Sequence, residues 1–257
     1  IFAGGGSSYS SSTFGLADYR PNARAIGMGG ISFAVPSGTS VNMYNPATLI
    51  GITMTRFDGS IYIESNLTRN GVTSAYSSTA NVNQLSLAIP FGSRLAMALG
   101  LSRVARVDYK YHTAARTFDG FSYSEKFQGE GGIQKLNLTF AGKINSRWTV
   151  GASAQYLFGT VNRNWRVAWD SQDFSNTDDS REEHIQGLRW SVGGLYQHDR
   201  FRIGGFIALS DRFKNDIIVT GIAADTTFSA SRKTHFPIEI GLGGMMAISK
   251  DYSAGLD

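Results

Sequence analysis

Arg103 and Arg106 stand three residues apart in the stretch "LSRVARVDYK" and are suited to attracting a carboxylate head group. A guanidinium offers N–H donors in the fork that a carboxylate accepts. The pair reads equally well as cations that hold no ligand. The other chemistry-bearing residues argue against catalysis. His112, His184, His198 and His235 are scattered among polar stretches, turns and strand ends, without metal-ligand spacing or a nucleophile turn nearby. There is no cysteine, which removes thiolate nucleophiles, thiolate metal sites and disulfides together. The stretch "DSQDFSNTDDSREE" gathers Asp170, Asp173, Asp178 and Asp179, but it lacks the central glycine of an EF-hand loop and reads as solvated chain. "GMGG" at 27–30 lacks the preceding strand and following helix of a dinucleotide site. The chain reads as a non-enzyme with no metal and no cofactor.

The elements that would position such residues follow from composition and period. Charged residues make up 17% of the 257, below the roughly 25% of soluble domains, so little charge is available to cover a surface in water. The net charge of +4 is spread out, and no basic cluster suggests nucleic acid. From Leu95 the odd positions Leu95, Met97, Leu99, Leu101, Ala105, Val107, Tyr109 and Tyr111 alternate with small or polar even ones, leaving Arg103 and Val104 as exceptions. The same alternation recurs around residues 85–91, 136–140, 148–158, 188–197, 201–209 and 236–248. A run this long exceeds an ordinary strand and suits a bilayer-spanning one of about 9 to 11 residues with an extension beyond the membrane. Short turns at 90–93, 144–147, 197–200 and 249–251 alternate with longer polar stretches at 65–81, 113–131, 170–186 and 211–233, which read as loops. That asymmetry is the pattern of outer-membrane barrels. A soluble antiparallel protein would alternate too, but it accounts poorly for such long strands.

Residues 25–55 form an uncharged run of 31, longer than the 20 or so that a spanning helix needs. Pro36, Pro46 and the glycines at 27, 29, 30 and 38 break a helix there, and polar residues interrupt the apolar character.

The run "ARAIGMGGISFAVPSGTSVNMYNPATL" resembles the N-terminal region of the FadL/TodX family of outer-membrane transport proteins. The resemblance is carried by Gly27, Gly29 and Gly30, and by the Asn45-Pro46-Ala47 element leading into the first strand. It covers about the first 60 residues by motif and the rest by architecture. PorV-like proteins of a bacterial secretion system share this signature.

The resemblance implies an all-β fold, a transmembrane antiparallel β-barrel in the bacterial outer membrane, with residues 1–50 as a hatch in the lumen and 51–257 as barrel strands. It implies uptake of hydrophobic compounds such as long-chain fatty acids or aromatic hydrocarbons. Capture would occur near the extracellular loops, transfer would lead to an apolar pocket beside the hatch, and release would be sideways through a kinked third strand. Candidate ligand contacts are Ile1, Phe2, Met28, Phe33, Met43 and Tyr44, with Arg103 and Arg106 for a carboxylate; the hatch residues serve equally as packing. Glycines are expected to let the hatch backbone approach the wall closely. A weak point in the third strand is expected at Arg103 and Val104, where a bulge would fit. Partners would be outer-membrane lipid, lipopolysaccharide and a hydrophobic ligand. The alternative is a PorV-like or structural barrel that serves as a protein-interaction component of an envelope or secretion complex. About nine strands are legible, whereas single-chain bacterial barrels use even numbers, so the sequence is expected to be part of a longer chain.

Overall fold

The computed structural model describes residues 2–6, 8–11, 14–17, 22–70, 73–221, 226–249 and 252–257. Fourteen strands occur among them: β1 (Phe2–Gly6), β2 (Leu16–Ala17), β3 (Arg56–Asn70), β4 (Thr73–Phe91), β5 (Leu95–His112), β6 (Arg116–Phe118), β7 (Phe121–Lys143), β8 (Trp148–Trp169), β9 (Thr177–His198), β10 (Phe201–Ser210), β11 (Phe213–Gly221), β12 (Thr226–Thr234), β13 (Glu239–Ala247) and β14 (Ser253–Leu256). A short helix α1 (Ala23–Gly27) and a 3₁₀ turn (Pro46–Gly51) lie in the uncharged N-terminal run. The wall runs in the order β14-β13-β10-β9-β8-β7-β5-β4-β3, and all the strand pairs are antiparallel.

The alternation read from the sequence sorts the two faces. Leu85, Leu95, Leu99, Leu138, Phe140, Trp190 and Val192 are exposed on one face, while Ala96, Ala98, Asn137, Thr139, Ser153 and Ser191 are buried on the other. Large apolar groups outside and small or polar ones inside suit a barrel wall bathed in lipid. The wall is curled. Val41 N–H donates to Asp58 of β3 at 2.8 Å, and Phe33 N–H donates to Asp257, just past β14, at 2.9 Å. The nine residues 33–41 thus reach both ends of the wall, and the inner segment they belong to also meets Gly100, Gly151, Gly193 and Gly204 of β5, β8, β9 and β10. The two ends of the wall therefore bend toward each other around residues 22–52.

Two expectations need correction. The single alternating face from Leu95 to Tyr111 is broken at Val104, where pairing with β7 shifts from Arg103↔Gln134 to Ala105↔Ile133. One extra residue turns the side chains over: Leu95 and Leu99 face outward, whereas Ala105, Val107 and Tyr109 are buried on the inner face. The expected bulge therefore exists. β7 accommodates it with Gly131 and Gly132 at φ 117° and 153°. A Cβ at Gly132 would lie 2.3 Å from the Ala105 carbonyl oxygen.

The polar stretches read as loops are, secondly, largely strand. β3 and β4 pair as far as Asn70↔Thr73, and β11 and β12 from Phe213↔Thr234 to Gly221↔Thr226. Asp119-Gly120, both with positive φ, close a two-residue hairpin between β6 and β7, as Asp-Gly does in a type I′ turn. Above a lipid belt the ladder still satisfies the backbone, but neither face needs to be apolar, so the alternation that marks a strand fades.

Candidate functional site

Residues 22–52 lie on the inner face. Asn45 is fully buried; its Nδ2 donates to the carbonyls of Phe33 (2.7 Å) and Gly194 (3.0 Å), and its Oδ1 accepts from Ala47 N–H at 3.0 Å. Pro46 opens the 3₁₀ turn with its fixed φ and no donor to waste. This turn fits the wall because the wall is carved by glycine. A Cβ at Gly151 would stand 2.5 Å from the Pro46 carbonyl carbon, one at Gly193 2.1 Å from Asn45 Oδ1, and one at Gly204 2.1 Å from the Phe33 carbonyl oxygen. The expectation that Gly27, Gly29 and Gly30 permit close approach is corrected here, since a Cβ on any of them would meet nothing within 4 Å. Gly29 and Gly30 instead supply positive φ (76° and 96°) after α1. Close approach is provided by the wall.

Above this turn lies a cavity of about 370 Å³, within the range of small-molecule sites. Its floor holds Tyr44, its sides Arg103, Val104, Ala105, Lys135 and Arg189, and its roof Phe14 and the segment from Thr234 to Glu239. The aromatic contacts form two groups: Phe236 packs on Phe213 at 4.5 Å and on Phe14 at 5.4 Å, and Phe33 packs on Phe206 at 5.0 Å and Tyr44 at 6.4 Å. Arg189 donates to Glu239 in an ion pair that lines the same space. Lys135 is 5% exposed and places its ammonium 4.8 Å from the centroid of the Tyr44 ring. Among the described residues it has no carboxylate at ion-pair distance. Counting Arg103, Lys135 and Arg189 against Glu239, the lining carries excess positive charge.

A second cavity of about 420 Å³ lies beyond the bulge, lined by Asn81, Arg103, Arg106, Glu130 and Phe158 among others. Arg103 borders both cavities; its Nη2 donates to Asn81 Oδ1 at 3.0 Å and its Nη1 to Tyr62 OH at 3.4 Å. Arg106 pairs with Glu64 at 3.3 Å and borders only the second. β4 pairs with β5 only from Phe91↔Leu95 up to Gln84↔Ser102; beyond that, β2 and β1 take the edge of β5.

Of the candidate contacts, Tyr44 and Arg103 meet at the first cavity, and Phe33 packs beneath Tyr44. Met43 lies buried against Gly100 and Asn137, and half-buried Met28 caps α1. Phe2 pairs through its backbone with His112, and Ile1 is outside the described residues. Lys135, Arg189 and Glu239 were not singled out by sequence reasoning. Their signal was a full charge on the inward side of strands long enough to cross a membrane, where charge is costly and marks function.

The BamG family model matches residues 2–203. No curated protein matches. Among solved structures, the chain is similar to the CymD monoaromatic hydrocarbon channel, with 17% identity and a TM-score of 0.56 over 90% of this chain and 66% of that one. The chain thus spans just under two thirds of that channel, and the likeness shows the barrel fold. Weaker matches are a Pseudomonas aeruginosa FadL homologue (10% identity, TM-score 0.38, 87% of this chain and 78% of that one) and the Pseudomonas putida toluene transporter TodX (12%, 0.36, 86% and 80%). The FadL resemblance drawn from the N-terminal motif thus stands at the level of fold, and the family matched is BamG.

Proposed function

This chain belongs to the BamG family, and from that premise and the channel fold we propose that it is an outer-membrane barrel for uptake of hydrophobic compounds that bear a carboxylate. Long-chain fatty acids are the type. Residues 1–50 contain the hatch, with β1 and β2 lent to the edge of β5, and 51–257 form the barrel wall.

The observation that carries this reading is Lys135. Its buried ammonium stands over the Tyr44 ring, and the Glu239 carboxylate that lines the same cavity is paired with Arg189, so positive charge is in excess there and costly to leave unpaired. An incoming carboxylate would satisfy it, while an apolar tail would lie against Phe14 and Phe236. A neutral hydrocarbon would leave the ammonium unpaired, so the acid is favoured over the hydrocarbon.

The test is binding of a fluorescent C18 polyene fatty acid to the purified chain. Lys135→Gln is expected to weaken binding at least tenfold and Lys135→Arg to retain it, with a neutral hydrocarbon of equal length indifferent to both. Equal acid affinity in wild type and Lys135→Gln overturns the reading.

One observation favours a second reading, a static barrel that serves as an envelope-protein partner. Asn45 is tied to the wall at the Gly194 carbonyl and within its own segment to Phe33 and Ala47, which suits a segment that stays in place. Stoichiometric co-purification with one envelope protein, together with no acid binding, would decide for it.

A further inference from the structure

The outer face of the wall is unevenly covered. Strand register sets its residues in rows, and one row near the short turns runs Leu95, Gly142, Val150, Gly194 from β5 to β9. In the next row up, Phe140, Ala152 and Val192 follow one another. The side chains of Leu95, Phe140, Val150 and Val192 stand exposed on this face, whereas Gly142 and Ala152 between them offer at most a methyl. The result is a groove of about 640 Å³ that runs from β5 to β9, about 14 Å across at ~4.8 Å per strand. Every residue that lines it is apolar.

The groove ends at a rim of positive charge. Arg94 precedes Leu95, Lys143 follows Gly142, and Arg147 precedes Trp148. Arg94 and Lys143 are neighbours in space, since Lys143 N–H donates to the Arg94 carbonyl at 2.9 Å. All three residues are exposed, and among the described residues none is at ion-pair distance from a carboxylate. The stretches 92–94 and 143–147 contain no acidic residue; in the next turn Asp199 and Arg200 offset each other.

The rim has a definite depth. Trp148 is 49% exposed and packs on Tyr196 at 4.9 Å beside it. Exposed rings at the ends of crossing strands mark the level of the head groups, and short turns lie on the periplasmic side. The cations therefore stand among the phosphates of the periplasmic leaflet, and the groove lies among its acyl chains. Long basic side chains at such a level run their stems along apolar surface and keep their charge at the interface. Any lipid chain could fill the groove, but the cations choose between head groups. A phosphodiester without an ammonium of its own leaves its charge for guanidinium and lysine donors, whereas phosphatidylcholine neutralises it internally.

We propose that this groove and rim form a site for an anionic phospholipid of the periplasmic leaflet, its phosphate held by Arg94, Lys143 and Arg147 and an acyl chain laid over Gly142 and Ala152. The site lies on the opposite face of the wall from the 370 Å³ cavity and shares no lining residue with it, so it stands apart from the acid-uptake reading.

Native mass spectrometry of the full chain, released from nanodiscs of equal parts phosphatidylglycerol and phosphatidylcholine with matched acyl chains, reads which lipid stays bound. The wild type is expected to retain phosphatidylglycerol at least tenfold over phosphatidylcholine. Arg94→Gln/Lys143→Gln/Arg147→Gln should bring the ratio within twofold of parity. Ala152→Phe, which fills the groove and spares the cations, should lower retained phosphatidylglycerol at least fivefold, whereas Ile240→Phe, bulk added to an exposed position outside the groove, should not. Equal retention of the two lipids by the wild type, or a preference that survives the triple substitution, overturns the site. A wild type that retains neither lipid and runs as a dimer assigns the groove to a second copy and overturns it too. A further arm needs no variant: phosphatidylglycerol with a diazirine in its acyl chain should label residues 140–152 of the wild type at least tenfold more than the same probe on phosphatidylcholine. Label spread evenly over the strands overturns the site even where a bulk preference is seen.

Discussion

Gly151 and Gly193 face each other across β8 and β9, and the space their missing side chains leave is filled by Pro46 and Asn45. The seat of the inner turn is thus built by two residues more than a hundred positions away from it. Gly151→Ala and Gly193→Ala should each destabilise by about 1–3 kcal/mol, the usual cost of forcing a methyl into a packed site. Gly194→Ala, whose Cβ would meet nothing within 4 Å, is the control. Denaturant unfolding in vesicles measures all three.

Asn45→Ala removes two donors and one acceptor at once. The Phe33 and Gly194 carbonyls lose a partner, and a buried group left unsatisfied costs about 1–3 kcal/mol. Because the loss is local to the inner turn, its readout is proteolysis. Trypsin cleavage at Arg24 should accelerate at least tenfold, while cleavage within the wall stays slow. Asn45→Asp should behave similarly, since a carboxylate cannot donate.

Glu239→Ala strands the Arg189 guanidinium, which is 7% exposed and whose Nε already lacks a partner. Breaking a buried pair costs about 3–5 kcal/mol, whereas replacing both partners with apolar groups is often neutral. The double variant Arg189→Met/Glu239→Met should therefore unfold closer to wild type than the single one. A single variant as stable as wild type would contradict the burial of this pair.

Deletion of Val104 takes out the extra residue in β5. The register with β7 would then run from Arg103↔Gln134 straight to Ala105↔Ile133, and Ala105, Val107 and Tyr109 would keep the inner face. A one-residue slip exchanges the two faces of a strand, so the compact, heat-modifiable form on gels should survive the deletion and be lost when one further residue is inserted after Val104. Val104→Ala, which keeps the count, should retain it.

The wall was legible because lipid outside and small residues inside impose a period of two that a single sequence displays. The bulge was legible as well, since Arg103 and Val104 broke that period. The hairpin extensions were not, because strands such as β11 and β12 are polar on both faces above the belt and keep only their backbone ladder. At the candidate site, Tyr44 and Arg103 could be named from their place in the chain. Lys135, Arg189 and Glu239 could not, because what joins them is the stacking of β7, β9 and β13, and that depends on register. The glycines misled for a related reason. In the N-terminal run they serve φ, whereas those that make room lie in strands where they look like ordinary small inward residues.

The bond from Ser32 and Phe33 to Asp257 ties residues separated by 225 positions. Contacts of such separation are the slowest to form, since chain entropy is lost before they repay it. The inner segment can pair with β3 early, but its anchor at Asp257 waits until the strands as far as β14 have been laid down. Assembly of this chain is therefore timed by its slowest closure, and the segment near its start is among the last to find all of its neighbours.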